Sequence, residues 1–289
     1  MKDNRISKTA ILISLVCFNN ARKSPSFVLP GTLLLSKELL VKYYSSFFRF
    51  FFNSKLFRFV SNRLENLILP GFSEHVLRRK WWIYQTVLKW VEQKPNSTLF
   101  VIGAGLDGLG LECSLNKSFK EVFEVDHPAT QNLKLILVKN INTKMLYIGL
   151  DLTRESIREL APKILSDRPV IVVWEAVSMY LSEQDVRLFF TDLAFVLPDY
   201  SEIIFTYIEP DANKAFNFHK GKGLINFFLK LASEPFKWGI DPKDLKVFLN
   251  QCHLELLEDV ATIDVEPNSK NRQSPCRGER VARAVVLKP

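Results

Sequence analysis

A chain of 289 residues with 47% apolar side chains is long enough to bury a sizeable core as one large α/β domain with an added subdomain, which excludes disorder for most of it. The four cysteines, Cys17, Cys113, Cys252 and Cys276, lie far apart with no C-x-x-C pair, so neither a zinc ribbon, a metal site nor a disulfide framework is indicated and a reducing, cytoplasmic setting is expected. The net charge of +8 is unevenly spread: residues 1–70 carry eleven Lys and Arg side chains against Asp3, Glu38 and Glu65, and the rest of the chain balances.

At the N-terminus, Lys2 and Arg5 precede the apolar run Ala10 to Phe18, a superficial likeness to a signal peptide. Asn19 stands where a cleavage site needs a small residue, and the run falls well short of the roughly 20 residues of a spanning helix. A short buried helix is the expectation. The next section, YYSSFFRFFFNSKLFRF from Tyr43 to Phe59, mixes aromatics with Arg49, Lys55 and Arg58. It reads as an aromatic lid over an apolar pocket with basic stems turned outward, ahead of a membrane-surface helix and of a nucleic-acid platform. Residues 1–70 are therefore expected to form a basic, aromatic-rich helical lid on a second unit, 71–289.

Residues 74–93 read as an amphipathic helix entering the first strand. Strand-like runs then follow at 99–103, 121–126, 145–149, 169–175, 202–208, 254–260 and 283–287, with helix-like stretches at 130–140, 154–165, 182–196 and 242–252 between them. Such alternation predicts a mostly parallel sheet wrapped by helices. Segment 210–233, between the fifth strand and the late helix, is expected to form a cap, and Glu266 to Gly278 a polar turn.

The first strand runs into GAGLDG, which satisfies the G-x-G-x-x-G pattern of a dinucleotide loop. Glycines there let the backbone approach a ligand, and the following helix N-terminus attracts pyrophosphate. Asp107 inside the loop opposes that reading, because a carboxylate repels pyrophosphate but tolerates a cation. S-adenosylmethionine carries no phosphate and bears a sulfonium and an ammonium. Asp126 closes the second strand, where an acid accepts hydrogen bonds from ribose hydroxyls in either class of site. Asp151 with Leu152 follows the third strand, suited to an adenine amine and ring nitrogen, and Glu175 ends the fourth, near the methionyl ammonium.

The series RRKWW, VIGAGLD, FEVDHP, GLDL and WEAVSMYLS resembles the leucine carboxyl methyltransferase family, including its bacterial branch of S-adenosylmethionine-dependent O-methyltransferases. ISKTAILI, EPFKWGIDPKDLKVFL and RGERVARAVV extend the resemblance over nearly the whole chain. It implies a Rossmann-like class I methyltransferase fold: a seven-stranded, mostly parallel sheet with helices on both faces and an N-terminal helical lid. It also implies roles by position. Arg78 matches the arginine that binds the cofactor carboxylate, with Arg79 and Lys80 close in register. Gly103 and Gly105 match the cofactor loop, Asp126 the ribose acid, Asp151 and Leu152 the adenine contacts, and Glu175 the acid after strand four. Tyr180 and Tyr207 match tyrosines that position the acceptor. Two departures stand out: the loop continues GLDGLGLE where the family usually has Thr or Ser after GLD, and Cys17 falls where the bacterial branch carries an arginine.

The chemistry implied is methyl transfer to a carboxylate or hydroxyl of a small-molecule or peptide acceptor, with acidic acceptors favoured by the basic section. A carboxylate needs no general base; a hydroxyl wants one, and His127 and His219 are candidates. A nicotinamide-dependent oxidoreductase, and a catalytically silent, membrane-associated or regulatory protein that keeps the fold, remain as alternatives.

Overall fold

The computed structural model describes residues 7–21, 27–45, 50–52, 54–141, 143–152, 154–160, 168–218, 235–265 and 274–288. Among the described residues the N-terminal part holds α1 (Lys8–Asn20), α2 (Pro30–Tyr43), α3 (Lys55–Ile68) and α4 (Phe72–Gln93), with residues 50–52 also helical. There follow β1 (Thr98–Ile102), α5 (Leu109–Leu115), β2 (Glu121–Asp126), α6 (Pro128–Val138), β3 (Leu146–Gly149), β4 (Val170–Trp174), α7 (Glu183–Val196) and β5 (Glu202–Ile208). The described chain closes with α8 (Pro242–Asn250), β6 (Leu254–Ala261) and β7 (Glu279–Val286).

The strands form one seven-stranded sheet in the order β3-β2-β1-β4-β5-β7-β6, parallel except that β7 runs antiparallel to both its neighbours. Strand periodicity sets the two cores. Phe100 and Ile102 of β1, with Val170, Val172 and Trp174 of β4, go to one face, where α7 and α8 pack. Leu99, Val101, Ile171 and Val173 go to the other, against α2, α4, α5 and α6. Continuous apolar runs of this kind are what strands covered on both faces require.

Helix starts carry local signals. Ser182 and Asp185 make a reciprocal capping box at α7, Pro128 and Pro242 sit in the first turns of α6 and α8, and the Asp241 side chain accepts from the Lys243 amide. α4 buries Val76, Ile83, Val87 and Trp90 along one stripe, at the three- and four-residue spacing its sequence predicts. α1 lies beside α2, where Ser14 and Ser36 share a hydrogen bond of 2.9 Å, and Cys17 and Ala21 pack on Val76 and Leu77 of α4.

Three expectations need correction or restriction. The helix anticipated at 154–165 is, among the described residues, a single 3-10 turn at Ile157–Leu160. The last strand starts at Glu279 rather than at residue 283, because its first two charges find partners: Arg79 and His75 meet Glu279, and Asp259 meets Arg280. The anticipated cap begins with a bridge between Pro210 and Phe216, whereas residues 219–234, His219 included, lie outside the described residues, as does 266–273 of the polar turn.

Candidate active site

Between β1 and β4 the strand order reverses, and ligands of open α/β sheets bind in the crevice beyond the carboxyl ends of the strands at that point. A cavity of about 340 Å³ lies there, within the range of small-molecule sites. Gly103, Gly105, Asp126, Asp151, Leu152, Glu175 and Tyr180 all reach its wall, and α1 contributes Ala10 and Ile13 to it. Parallel strands end on one edge of the sheet, so acids far apart in sequence meet around one space.

The glycine loop is shaped by contact as well as by dihedral. Gly103 has φ +66°, and a Cβ there would lie 2.2 Å from Val177 Cγ2. Gly105, at φ +52°, donates its amide to Asp126 Oδ2 at 2.6 Å, while the His127 amide donates to Oδ1 at 2.6 Å. Burial raises the Asp126 pKa and these two amides oppose the rise. A carboxylate offers about four acceptor sites, so two remain for a pair of ribose hydroxyls. His127 Nδ1 accepts from the Ala129 amide at 3.2 Å as the N-cap of α6, which places the ring proton on Nε2, 3.8 Å from Asp151.

Behind the loop runs a buried ionic network. Lys80 of α4 stands 3.1 Å from Asp107 and 3.1 Å from Glu175. Arg79 donates from Nε to Glu175 at 2.8 Å and from Nη1 to Glu279 at 2.7 Å, and His75 Nε2 meets Glu279 at 2.5 Å. Lys134 lies 2.6 Å from Glu124 and donates to the Asp107 carbonyl at 2.5 Å. Burial works against the charge of Lys80, but Asp107 and Glu175 hold its pKa above the ordinary value; burial likewise raises Asp107, and Lys80 and Lys134 bring it below normal. Asp107 also accepts from the Thr32 hydroxyl at 3.1 Å and the Gly108 amide at 2.7 Å. Asp107 lines the cavity, but its charge is not left to act on a ligand alone, because Lys80 and Lys134 lie against it. Its contacts also make it a brace that ties the glycine loop to α2 and α4.

Two expected site residues are not brought to the cavity. Arg78 pairs with Glu74 at 2.9 Å and donates to the carbonyls of Val265 and Ile263, on the side of α4 away from the pocket; Arg79 and Lys80 occupy the pocket side instead. One residue of helix turns the side chain by about 100°, and that step separates the two outcomes. Tyr207 is fully buried in the sheet core and donates its hydroxyl to Asp259 at 3.0 Å. Glu175 is at the wall, but with its oxygens already held by Arg79 and Lys80. Cys17 is buried, and its thiol, pushed up to about 12 chiefly by burial, is neutral and does not replace a guanidinium.

Sequence reasoning missed Lys134 and Glu124. A charged residue inside the buried run of β2 was the available signal, because a buried carboxylate demands a buried cation. It also missed Lys237, which lines the cavity too. The amides of Lys237 and Trp238 both donate to the Met179 carbonyl, at 2.7 and 3.3 Å, and the Phe236 ring lies 5.7 Å from that of Tyr180. These contacts fasten segment 235–238 to the turn that carries Tyr180.

The sheet order, with the glycine loop at its switch point, is that of the Rossmann-like class I methyltransferase fold. The chain belongs to the leucine carboxyl methyltransferase family, whose sequence model matches residues 45–194, just over half of it. Among solved structures the fold is similar to that of a putative methyltransferase from Thermobifida fusca, with a TM-score of 0.58 at 13% identity over 88% of this chain and 94% of that one. TehB from Haemophilus influenzae gives 0.48 at 13% identity, with 70% of this chain and 62% of that one covered. Magnesium protoporphyrin IX methyltransferase from Synechocystis PCC 6803, with bound S-adenosylhomocysteine, also gives 0.48 at 13%, over 84% and 99%. No curated protein matches the sequence. S-adenosylmethionine is the cofactor, and the donor set fits it: the strand-end acids suit hydroxyls and an amine, and Lys80 and Lys134, the cations beside the loop among the described residues, are already paired with acids.

Proposed function

We propose that the protein methylates an oxygen of a small-molecule or peptide acceptor, with acceptors that bear a carboxylate preferred. One observation supports the reading: Tyr180 and Lys237, whose segments are fastened through the Met179 carbonyl, line the same cavity as the strand-end acids. A hydroxyl and an ammonium there suit an anionic acceptor. They would hold its oxygen by hydrogen bond and charge.

The cofactor, when bound, supplies a methyl group already activated by its sulfonium. The chain's task is then placement. Asp126 and Asp151 fix the adenosine end, the Ala10–Ile13 side of α1 keeps water out, and Tyr180 and Lys237 bring the acceptor oxygen into line. Orientation of this kind accounts for most of the acceleration in a transfer between preformed reactants. A carboxylate acceptor, with an ordinary pKa of about 4, is ionised at neutral pH and needs no base. In this reading the N-terminal section acts as a lid, and its positive charge draws acidic acceptors toward the mouth.

The reading is tested by offering the enzyme labelled S-adenosylmethionine with paired acceptors that differ only in carrying a carboxylate, a hydroxyl or an amine. Label that base releases as methanol identifies an ester. Lys237→Ala is expected to raise KM for the acid and leave cofactor affinity unchanged. Transfer to amines alone contradicts the proposal.

A further inference from the structure

Helix α3 is oriented against the usual rule. Its apolar residues Leu56, Phe59, Val60, Leu64 and Leu67 recur at the spacing of one helical face, and all are 40–62% exposed; no residue of the helix is buried. The opposite side, which carries Ser61 and Glu65 together with the half-buried Phe57 and Ile68, faces the body of the protein instead. Asn19 of α1 donates to the Ser61 hydroxyl at 3.1 Å, and Glu65 accepts from the Ser73 amide at 2.9 Å and from the Ser73 hydroxyl. Just upstream, Phe50 is 79% exposed. An outward apolar stripe on a helix whose other side is already anchored, by hydrogen bonds at Ser61 and Glu65 and by the packing of Phe57 and Ile68, is a surface built to be covered.

Charge decides by what. All of the net +8 lies in residues 1–70, and Lys55 and Arg63 are exposed on α3 itself. A second copy docking face to face would bring two such surfaces together against their repulsion, whereas an anionic surface complements them. The Arg63 guanidinium lies over the Phe59 ring, 5.4 Å from its centroid, so its cation is carried on the apolar face in the manner of interfacial helices that rest at the headgroup boundary. No helix among the described residues is long and apolar enough to cross a membrane. We propose that α3 docks the protein on an anionic lipid surface, with its Leu56–Leu67 face at the headgroup–acyl boundary and its cations on the headgroups.

Co-sedimentation of the full chain with vesicles tests this. Binding is expected to vesicles of phosphatidylcholine with phosphatidylserine but not to phosphatidylcholine alone, and to weaken as salt rises. Phe59→Ser with Leu64→Ser, two exposed positions, is expected to lower the bound partition by roughly tenfold or more while the thermal melt is unchanged. Arg63→Glu, which leaves the apolar face in place, is expected to weaken binding to the anionic vesicles. Absence of binding to the anionic vesicles, equal binding to both kinds, or indifference to these substitutions overturns the proposal. So does a concentration-dependent dimer that the double substitution abolishes.

Discussion

The Lys80 ammonium stands 3.1 Å from the Asp107 carboxylate, with 7% and 12% of the two side chains exposed. α4 thereby reaches the glycine loop through one ion pair, and the same ammonium neutralises Glu175 at the end of β4. Removing one member of a buried pair leaves an uncompensated charge, which typically costs about 3–5 kcal/mol. Lys80→Met, which keeps the aliphatic stem, is expected to lose stability of that order in urea unfolding and to weaken S-adenosylhomocysteine binding. Near wild-type stability would show that Asp107 and Glu175 do not depend on Lys80.

Arg78 and Arg79 are adjacent in sequence but make opposite forecasts. Arg78→Ala removes a pair with Glu74 and two bonds to carbonyls remote from the cavity, so a loss of about 1 kcal/mol in stability is expected with cofactor affinity unchanged. Arg79 joins Glu175 to Glu279 through two different nitrogens. Arg79→Lys is therefore expected to fail to restore the contact, because one ammonium does not reproduce the guanidinium fork. Calorimetric titration of both variants checks the assignment. Loss of cofactor affinity in Arg78→Ala alone reverses it.

Glu279 gives the fold a marked acid limb. Burial raises its pKa, but Arg79 and His75 outweigh burial and bring it from 4.5 to about 2. A depressed carboxylate stabilises the folded state fully above its unfolded pKa of 4.5, and that contribution is lost as pH falls toward about 2. Denaturation measured across pH 5 to 2 (roughly the window that those two values span) is expected to show falling stability in the wild type. Glu279→Gln is expected to flatten that decline and to lower stability at neutral pH by about 3 kcal/mol. An unchanged acid limb in the variant would place the titration elsewhere.

The sheet was readable because its strands are apolar runs bounded by polar residues, and because parallel strands bring their ends to one edge. That is why the strand-end positions of Asp126, Asp151 and Glu175 are legible in the sequence, and the structure brings all three to one cavity. Helical register was less readable. Arg78 turns away from the cavity while Arg79 and Lys80 converge on Glu175, and what decides among them lies far along the chain: Glu175 is 96 residues from Arg79 and Glu279 is 200. Tyr207 illustrates the same limit in a strand. It shares a core face with Phe205 and Ile203, and its hydroxyl is satisfied by Asp259 from β6, a neighbour that only the β7-mediated sheet order brings near. The inverted seating of α3 had no sequence signal beyond its amphipathicity, since pattern predicts a face but not which way it turns.

The most direct test of the account is calorimetric titration of the purified protein with S-adenosylhomocysteine, repeated with Asp126→Ala. One-to-one binding is predicted for the wild type. The variant should lose the roughly 1.5–3 kcal/mol of hydrogen bonds to a charged acceptor, a weakening of about tenfold to a hundredfold, while remaining folded. The affinity should also fall with decreasing pH from a higher value than an ordinary aspartate would give, since burial raises the Asp126 pKa and binding needs the carboxylate. Equal affinity in a folded Asp126→Ala, or binding of NADH in place of S-adenosylhomocysteine, would contradict the cofactor site described here.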